Sequence, residues 1–178
     1  MEDLEDAITH YRQALTFRPP GHPNRSTSLG NLATALSTRF EQSGRMEDLE
    51  DAITYYRQAL ALCPPGHPSR PTFLNNLAGA LSTRFQQSGR MEDLEGAITY
   101  YRQALTLCPP GDPNRSSSLN NLARALHTCF QQLGRMEDSE EPFILPEQAA
   151  NDLSSSPPGL SGNMIYHTYV IRIQLLIQ

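Results

Sequence analysis

The stretch at residues 46–90 is MEDLEDAITYYRQALALCPPGHPSRPTFLNNLAGALSTRFQQSGR, and this 45-residue unit decides the fold class. The same unit fills residues 1–45 and 91–135; the three copies align without a gap, and 29 of the 45 columns are identical. A fixed period of this length is typical of solenoids, in which each repeat buries its apolar face against its neighbours. The sequence therefore predicts a repeat array over residues 1–138 in place of one central core.

Each copy contains two helical patterns. In the second copy, apolar residues from about Glu47 to Leu62 recur at the spacing of one helix face, and we call this segment helix B. The Pro-Pro-Gly run at 64–66 ends it, because proline cannot continue the hydrogen-bond ladder. Helix A follows from about Pro71 to Ser88, with Gly89 as its predicted C-terminal cap. The short loops predict antiparallel neighbours.

Helix A carries three stripes on a helical wheel. The first is apolar and identical in all copies; in the first copy it is Leu29, Leu32, Ala33, Leu36 and Phe40. The second, which we call the variable stripe, is Thr27, Gly30, Thr34, Ser37 and Glu41 in the first copy, and every one of its columns differs between copies. The third is identical and mostly small or polar: Asn31, Ala35, Thr38 and Gln42. We expect the first stripe to pack on helix B, the third to pack on a neighbouring repeat, and the variable stripe to face solvent or a ligand.

The repeats resemble a known family. Helix B has the pattern Ala-x3-Tyr-x2-Ala-x4-Pro at Ala52, Tyr56, Ala59 and Pro64, and helix A contains LNNLA at 74–78. These residues resemble tetratricopeptide repeats of the kinesin-light-chain type, in a style similar to long fungal arrays. The resemblance implies an all-α, right-handed superhelical solenoid of antiparallel helix pairs. The period of 45 is longer than the 34 of the common type, and alanine replaces the signature glycine of helix A.

The resemblance also implies where a partner binds. In that family the first helices line a concave groove that holds a peptide or a partner helix, and the variable stripe falls on those columns. The predicted groove residues are Gly30, Thr34 and Ser37, then Asn75, Gly79 and Ser82, then Asn120, Arg124 and His127. Amide side chains can bond an extended peptide backbone, and Arg124 can pair with a carboxylate. We therefore predict a protein-interaction scaffold, although one arginine is too few for the family's carboxylate clamp.

Composition favours binding over catalysis. Net charge is −5 with dispersed acidic residues, so no nucleic-acid footprint is present, and the most apolar stretch is too short to span a membrane. The chain has no Lys, no glycine-rich phosphate loop, no paired catalytic carboxylates and no metal motif. His22 and His67 become Asp112, which argues against a metal site, and His127 and Cys129 lie two apart, where helical side chains diverge. We predict no enzyme activity and no cofactor.

The cysteines and the N-terminus indicate the compartment. The three cysteines are an odd number without a disulfide framework, which suggests reduced, intracellular thiols. The N-terminal segment MEDLEDAITHYRQAL is acidic and amphipathic, so it is not a signal peptide. We therefore predict a cytoplasmic protein.

Several polar columns are interpreted as structural. We expect Asn31, Asn76 and Asn121 to bond the backbone of a neighbouring repeat, since buried amides are normally satisfied. The columns of Asp6 and His10 vary together, which fits an exposed outer face of helix B. Arg39 and Arg84 are replaced by Cys129, which argues against an essential role for that column.

The array fails after residue 138, because Ser139 and Pro142 break the pattern of helix B. Residues 139–163 are predicted to be a disordered Pro/Ser-rich linker, and residues 164–178 an apolar tail of uncertain structure. Neither end has a capping repeat, so both are expected to expose apolar surface. We expect the chain to be a fragment of a longer array; the alternative is that the apolar tail folds back over the last helix, 116–133, or mediates self-association. Two other functions stay open: the regulatory arm of a larger signalling ATPase or caspase-like protease, and a structural role in which the exposed end faces stack into oligomers.

Overall fold

The structure, a computed structural model, describes residues 2–137, and these form six α-helices and no strand. The helices are α1 (Glu2–Thr16), α2 (Arg25–Ser43), α3 (Met46–Ala61), α4 (Arg70–Ser88), α5 (Met91–Leu107) and α6 (Pro113–Glu137). Odd-numbered helices are helix B and even-numbered helices are helix A. The predicted all-α fold is confirmed, while the predicted linker and tail lie outside the described residues.

The chain divides into two compact units, Met1–Ala125 and Leu126–Gln178. In the first unit α1 packs against α2, α2 against α3, α3 against α4 and α4 against α5, while α2 also contacts α4. The apolar stripe of helix A forms the core between these layers, with Leu29, Leu32 and Leu36 at most 1% exposed. Its predicted packing is therefore confirmed. In the third stripe Ala35 is buried but Asn31 is exposed, so that stripe packs only through its small residues.

Tight turns join helix A to the next helix B. Gly44 and Gly89 adopt a left-handed conformation with φ 70°, and their backbone N–H groups donate to the carbonyls of Phe40 and Phe85. This confirms the cap predicted at Gly89. The Ser43 hydroxyl supports the turn, since it donates to the Arg39 carbonyl at 2.7 Å and accepts from the Arg45 N–H at 3.4 Å.

In α6 this turn does not form. In the sequence of the third copy, leucine stands at the column whose serine hydroxyl supports the turn in the first two copies. The helix continues to Glu137, four residues past the end at Leu133 that the pattern predicted.

A half-buried arginine caps the end of each helix B. Arg70 donates through Nη1 to the carbonyls of Leu60 and Cys63, and Arg115 does the same to Leu105 at 3.2 Å and Cys108 at 2.6 Å. The last carbonyls of a helix have no partner within the helix, so these bonds satisfy groups that would otherwise be left open. The linker therefore has a fixed geometry in each repeat.

The linker histidine has a structural partner. The Nδ1 atom of His67 accepts the backbone N–H of Ser69 at 3.1 Å, and the Oδ1 atom of Asp112 accepts that of Asn114 at 2.7 Å. Histidine and aspartate thus serve as the same kind of acceptor in this column, which explains why one can replace the other between copies.

Candidate functional site

The variable stripe of helix A lies against a row of buried tyrosines from helix B. Tyr56 and Tyr101 are 3% and 1% exposed. The phenol oxygen of Tyr56 is 3.0 Å from Oγ1 of Thr34, which also donates to the Gly30 carbonyl. At Gly79, the counterpart of Thr34, an added Cβ would lie 3.7 Å from the phenol oxygen of Tyr101. The same column therefore meets a phenol in two successive repeats.

Burial raises the pKa of both phenols, because it disfavours the ionised form. At Tyr101 the positive charge of Arg124 acts in the opposite direction, which places this arginine of the variable stripe beside the phenol. Both tyrosines keep their protons at neutral pH and can donate or accept hydrogen bonds. The floor under the variable stripe is therefore polar and uncharged.

Three side-chain oxygens of the variable stripe are buried and lack a hydrogen-bond partner among the described residues. They are the hydroxyls of Ser37 and Ser82 and the Oδ1 atom of Asn75. The Ser82 hydroxyl lies near enough to lower the pKa of Tyr101 without reaching hydrogen-bond geometry. The Ser37 hydroxyl likewise lowers the pKa of Tyr56, so the two serine hydroxyls belong to the polar floor beside the phenols.

The other predicted groove residues differ in exposure. Thr34, Asn120 and Arg124 are exposed, whereas Gly79 is half-buried. Arg124 donates through Nη2 to the Oδ1 atom of Asn121 at 3.0 Å. His127 lies in the second unit, where it is exposed and its Nε2 atom is 3.0 Å from Nε2 of Gln131.

Gly30 has a different environment from the rest of the predicted groove. It is buried, and a Cβ at this position would overlap the ring of Phe73 in α4. In the first repeat this column is part of the contact between α2 and α4. Glycine is needed here because no larger residue leaves room for the ring.

The asparagines of the third stripe contact side chains. Asn76 lies close enough to Tyr56 to lower the pKa of its phenol, and Asn121 accepts from Arg124. We expected backbone partners in a neighbouring repeat. Instead, Asn76 of α4 lies beside a phenol from α3, and Asn121 bonds the arginine three residues further along α6.

The arginine column holds successive repeats together. Arg39 donates to both carboxylate oxygens of Asp48, through Nε at 2.8 Å and Nη2 at 2.6 Å, and through Nη1 to Glu5 at 2.6 Å. Arg84 repeats the arrangement with Asp93 and Glu50. The hydrogen bond to the aspartate raises the pKa of each arginine. The change to Cys129 had suggested a dispensable column, and that interpretation is wrong for the first two repeats.

The outer face of helix B is only partly exposed. Asp6 and His10 are exposed, as expected, but Tyr55, the counterpart of His10, is half-buried. It packs against a buried cluster of Leu29, Ala59, Cys63 and Phe73. The cysteines Cys63 and Cys108 are free, and each is 1% exposed.

Within residues 2–137, no helix is long and apolar enough to cross a membrane. In the same part of the chain, no three His, Cys, Asp or Glu side chains converge as a set of metal ligands. The site described here is therefore built from hydrogen-bonding groups and the charge of Arg124.

Comparison with known proteins identifies the repeats. Family models described as tetratricopeptide repeat match residues 25–69 and 89–110. No curated protein matches the sequence. A solved structure described as a Podosopora anserina kinesin light chain with nearly identical TPR-like repeats is 19% identical, covers 78% of this chain and 69% of its own, and has a TM-score of 0.55. That likeness shows the fold. Residues 25–69 and 89–110 therefore match the tetratricopeptide-repeat family, and the chain has a fold similar to that of the kinesin-light-chain repeat structure.

Proposed function

We propose that this chain is a protein-interaction scaffold that binds an extended peptide or a partner helix along the variable stripe of α2, α4 and α6. Tetratricopeptide repeats generally mediate protein–protein interaction and are typically non-catalytic. The observation that carries the proposal is the position of the variable stripe over the buried phenols of Tyr56 and Tyr101. Copies that are otherwise nearly identical thus present different side chains above a constant floor.

The three repeats offer different chemistry to one ligand. The exposed Thr34 places a hydroxyl over the first phenol, beside the Ser37 hydroxyl, which suits the backbone of an extended peptide. Gly79 is half-buried and leaves the position of a side chain on α4 empty, and we propose that a large side chain of the partner uses this space, since a Cβ there makes only an ordinary contact with the Tyr101 phenol. Arg124 adds a positive charge next to that space, which favours a nearby carboxylate. We therefore propose a partner segment with one bulky and one acidic residue.

A peptide selection tests this groove. Random peptides are displayed and selected on the full chain, and the selected peptides are then titrated against Gly79→Leu. This variant fills the space above Tyr101, while its Cβ makes only an ordinary contact with the phenol. Gln58→Leu adds a similar apolar side chain on the exposed side of α3 and serves as the matched control.

The groove predicts that binding falls at least about tenfold in Gly79→Leu, since that equals about 1.4 kcal/mol of lost contacts. Binding to Gln58→Leu should be unchanged, and both variants should keep their helical circular dichroism. Peptides that bind Gly79→Leu normally but lose affinity for Gln58→Leu would move the site to the outer face of helix B.

We also propose that the scaffold works in the cytoplasm. Support comes from Cys63 and Cys108, which are free and buried in the core. Burial raises the pKa of the Cys108 thiol, which keeps it protonated and slow to react. Fluorescence microscopy of a tagged full-length chain in cells tests the location, and a signal confined to a secretory compartment would contradict it.

A further inference from the structure

One side of the first helix pair is open. A cavity of about 560 Å³ lies between Tyr11, Ala14 and Arg18 on one side and Asn24, Thr27 and Asn31 on the other. Tyr11 and Ala14 are half-buried, and Thr27 and Asn31 are exposed. This surface, which we call the α1–α2 face, presents the helix-B tyrosine and its neighbouring alanine to solvent.

The counterparts of the α1–α2 face are covered in the next repeat. Ala59 and Ala104, the counterparts of Ala14, are fully buried. The cover in the second repeat is α2: Leu29 packs in one cluster with Ala59, and the Thr34 hydroxyl bonds the Tyr56 phenol. Within each repeat, helix B and helix A together form a surface. The helix A of the preceding repeat packs on that surface.

In α6, two residues of the core stripe are less buried than their counterparts in the other repeats. Leu119 and Ala123 are half-buried. Their counterparts in α2 and α4 are at most 1% exposed, namely Leu29, Ala33, Leu74 and Ala78. These residues of α6 are of the same types as those with which α2 and α4 pack on the next repeat.

The side chains in two columns that meet between repeats, those of Gly30 and Phe73, also have complementary sizes. In α2 the buried Gly30 leaves room for Phe73 of the next repeat. Between the second and third repeats the same columns hold Asn75 and Ser118. Asn75 is larger than Gly30, and Ser118 is smaller than Phe73, so the change in one column offsets the change in the other. If α6 of one copy meets the α1–α2 face of another, the columns hold Asn120 and Ser28. This is the combination already used between the second and third repeats.

We propose that a second copy of this chain docks α6 onto the α1–α2 face and so continues the solenoid head to tail. The contact joins two different surfaces, so it does not close on itself and gives chains whose length grows with concentration. Stacking would also lengthen the groove and let a multivalent partner bind more tightly.

Sedimentation velocity on the full chain tests the proposal, with Ala14→Arg as the blocking variant and Gln13→Arg as its control. Both substitutions add one positive charge on α1, but Gln13 is exposed and lies outside the cavity. The average mass of wild type and Gln13→Arg should rise with concentration, while Ala14→Arg stays monomeric. A monomeric wild type at every concentration, or equal association of both variants, would overturn the proposal.

Mixing variants tests the head-to-tail direction. Ala14→Arg keeps an intact α6, and Ala123→Arg keeps an intact α1–α2 face, so each should be monomeric alone and the mixture should give dimers and nothing larger. A mixture that stays monomeric, or single variants that still dimerise, would exclude this contact. If Ala14→Arg loses its helical circular dichroism, Thr27→Arg on the exposed rim of the cavity replaces it.

A gain of affinity checks the register of the contact. Asp48 and Asp93 each receive an arginine from the preceding helix A, whereas their counterpart Asp3 is exposed and Cys129 occupies the arginine column of α6. Cys129→Arg should therefore tighten association about tenfold, the effect of one charged hydrogen bond. Adding Asp3→Asn should cancel that gain. Association that Cys129→Arg leaves unchanged would contradict the register.

Discussion

Arg39 and Asp48 form a two-point hydrogen-bonded ion pair between α2 and α3, with both nitrogen–oxygen distances below 3 Å. The side chains are 12% and 4% exposed, so the pair is shielded from water. Arg84 and Asp93 repeat it one period later. The pair joins a helix A to the helix B of the following repeat, and it therefore fixes the step from one repeat to the next.

Removing the arginine should destabilise the array strongly. Arg39→Met leaves the buried Asp48 carboxylate with only the exposed Arg45, 4.0 Å away, as a countercharge, which costs about 3 kcal/mol of unfolding free energy. Glu5→Gln removes only a partner that is 55% exposed and should cost less than about 1 kcal/mol. Urea unfolding followed by circular dichroism measures both. If both variants lowered the unfolding free energy equally, the Asp48 contact would contribute no more to stability than the exposed Glu5 contact.

The two glycines of α2 and α4 should respond in opposite ways to the same change. Gly30→Ala forces a methyl group into the ring of Phe73 and should cost about 1–3 kcal/mol, as overpacking usually does. Gly79→Ala meets only ordinary contact and should stabilise α4 by up to about 1 kcal/mol, because alanine favours helix. Thermal unfolding compares them. A stabilising Gly30→Ala would contradict the close packing of α2 on α4.

Loss of the linker arginine should also cost stability. Arg70→Ala opens the carbonyls of Leu60 and Cys63 at the end of α3, and we expect a loss of about 1–2 kcal/mol. Arg57→Ala, on the exposed side of the same helix, is the control and should change stability by less than about 0.5 kcal/mol. Urea midpoints of the full chain decide between them. A neutral Arg70→Ala would mean that water satisfies these carbonyls equally well.

Glu95 should make stability depend on pH. Burial, and then the charge of Glu92, raise its pKa in the folded chain, so ionisation is harder there than in the unfolded chain. The resulting penalty is absent when both states are protonated, and it appears as pH rises past the ordinary glutamate value, about 4.3. Glu95→Gln should therefore stabilise the chain at pH 7 and have little effect near pH 4. Glu50→Gln, whose carboxylate is paired with Arg84, should not stabilise at pH 7.

The helix pairs and their core could be predicted because they depend on patterns within one repeat. The 45-residue period located all six helices, and the Gly89 cap follows from a local preference for left-handed glycine. Contacts between repeats were harder to predict. The Arg39–Glu5 pair spans 34 residues, and no periodicity within helix A indicates it.

Comparing the three copies predicted some parts of the site correctly and others wrongly. It located the variable stripe, but variation also marks compensated packing, as at Gly30, where the change depends on Phe73. Variation in the column of Arg39 was interpreted as tolerance, although Arg39 is held in an ion pair with the buried Asp48. The half-buried Tyr55 was placed on an exposed face, because its counterpart His10 suggested a solvated column. A packing change and a change of ligand specificity look alike in three copies.

Amide hydrogen exchange of the full chain, with and without a selected peptide, tests the central claim most directly. The account predicts slowed exchange in α2 around Thr34–Ser37, in α4 around Asn75–Ser82 and in α6 around Asn120–Arg124, with no change at the exposed side of α3 around Arg57. Slowed exchange confined to the helix-B surfaces, with the variable stripe unchanged, would contradict it.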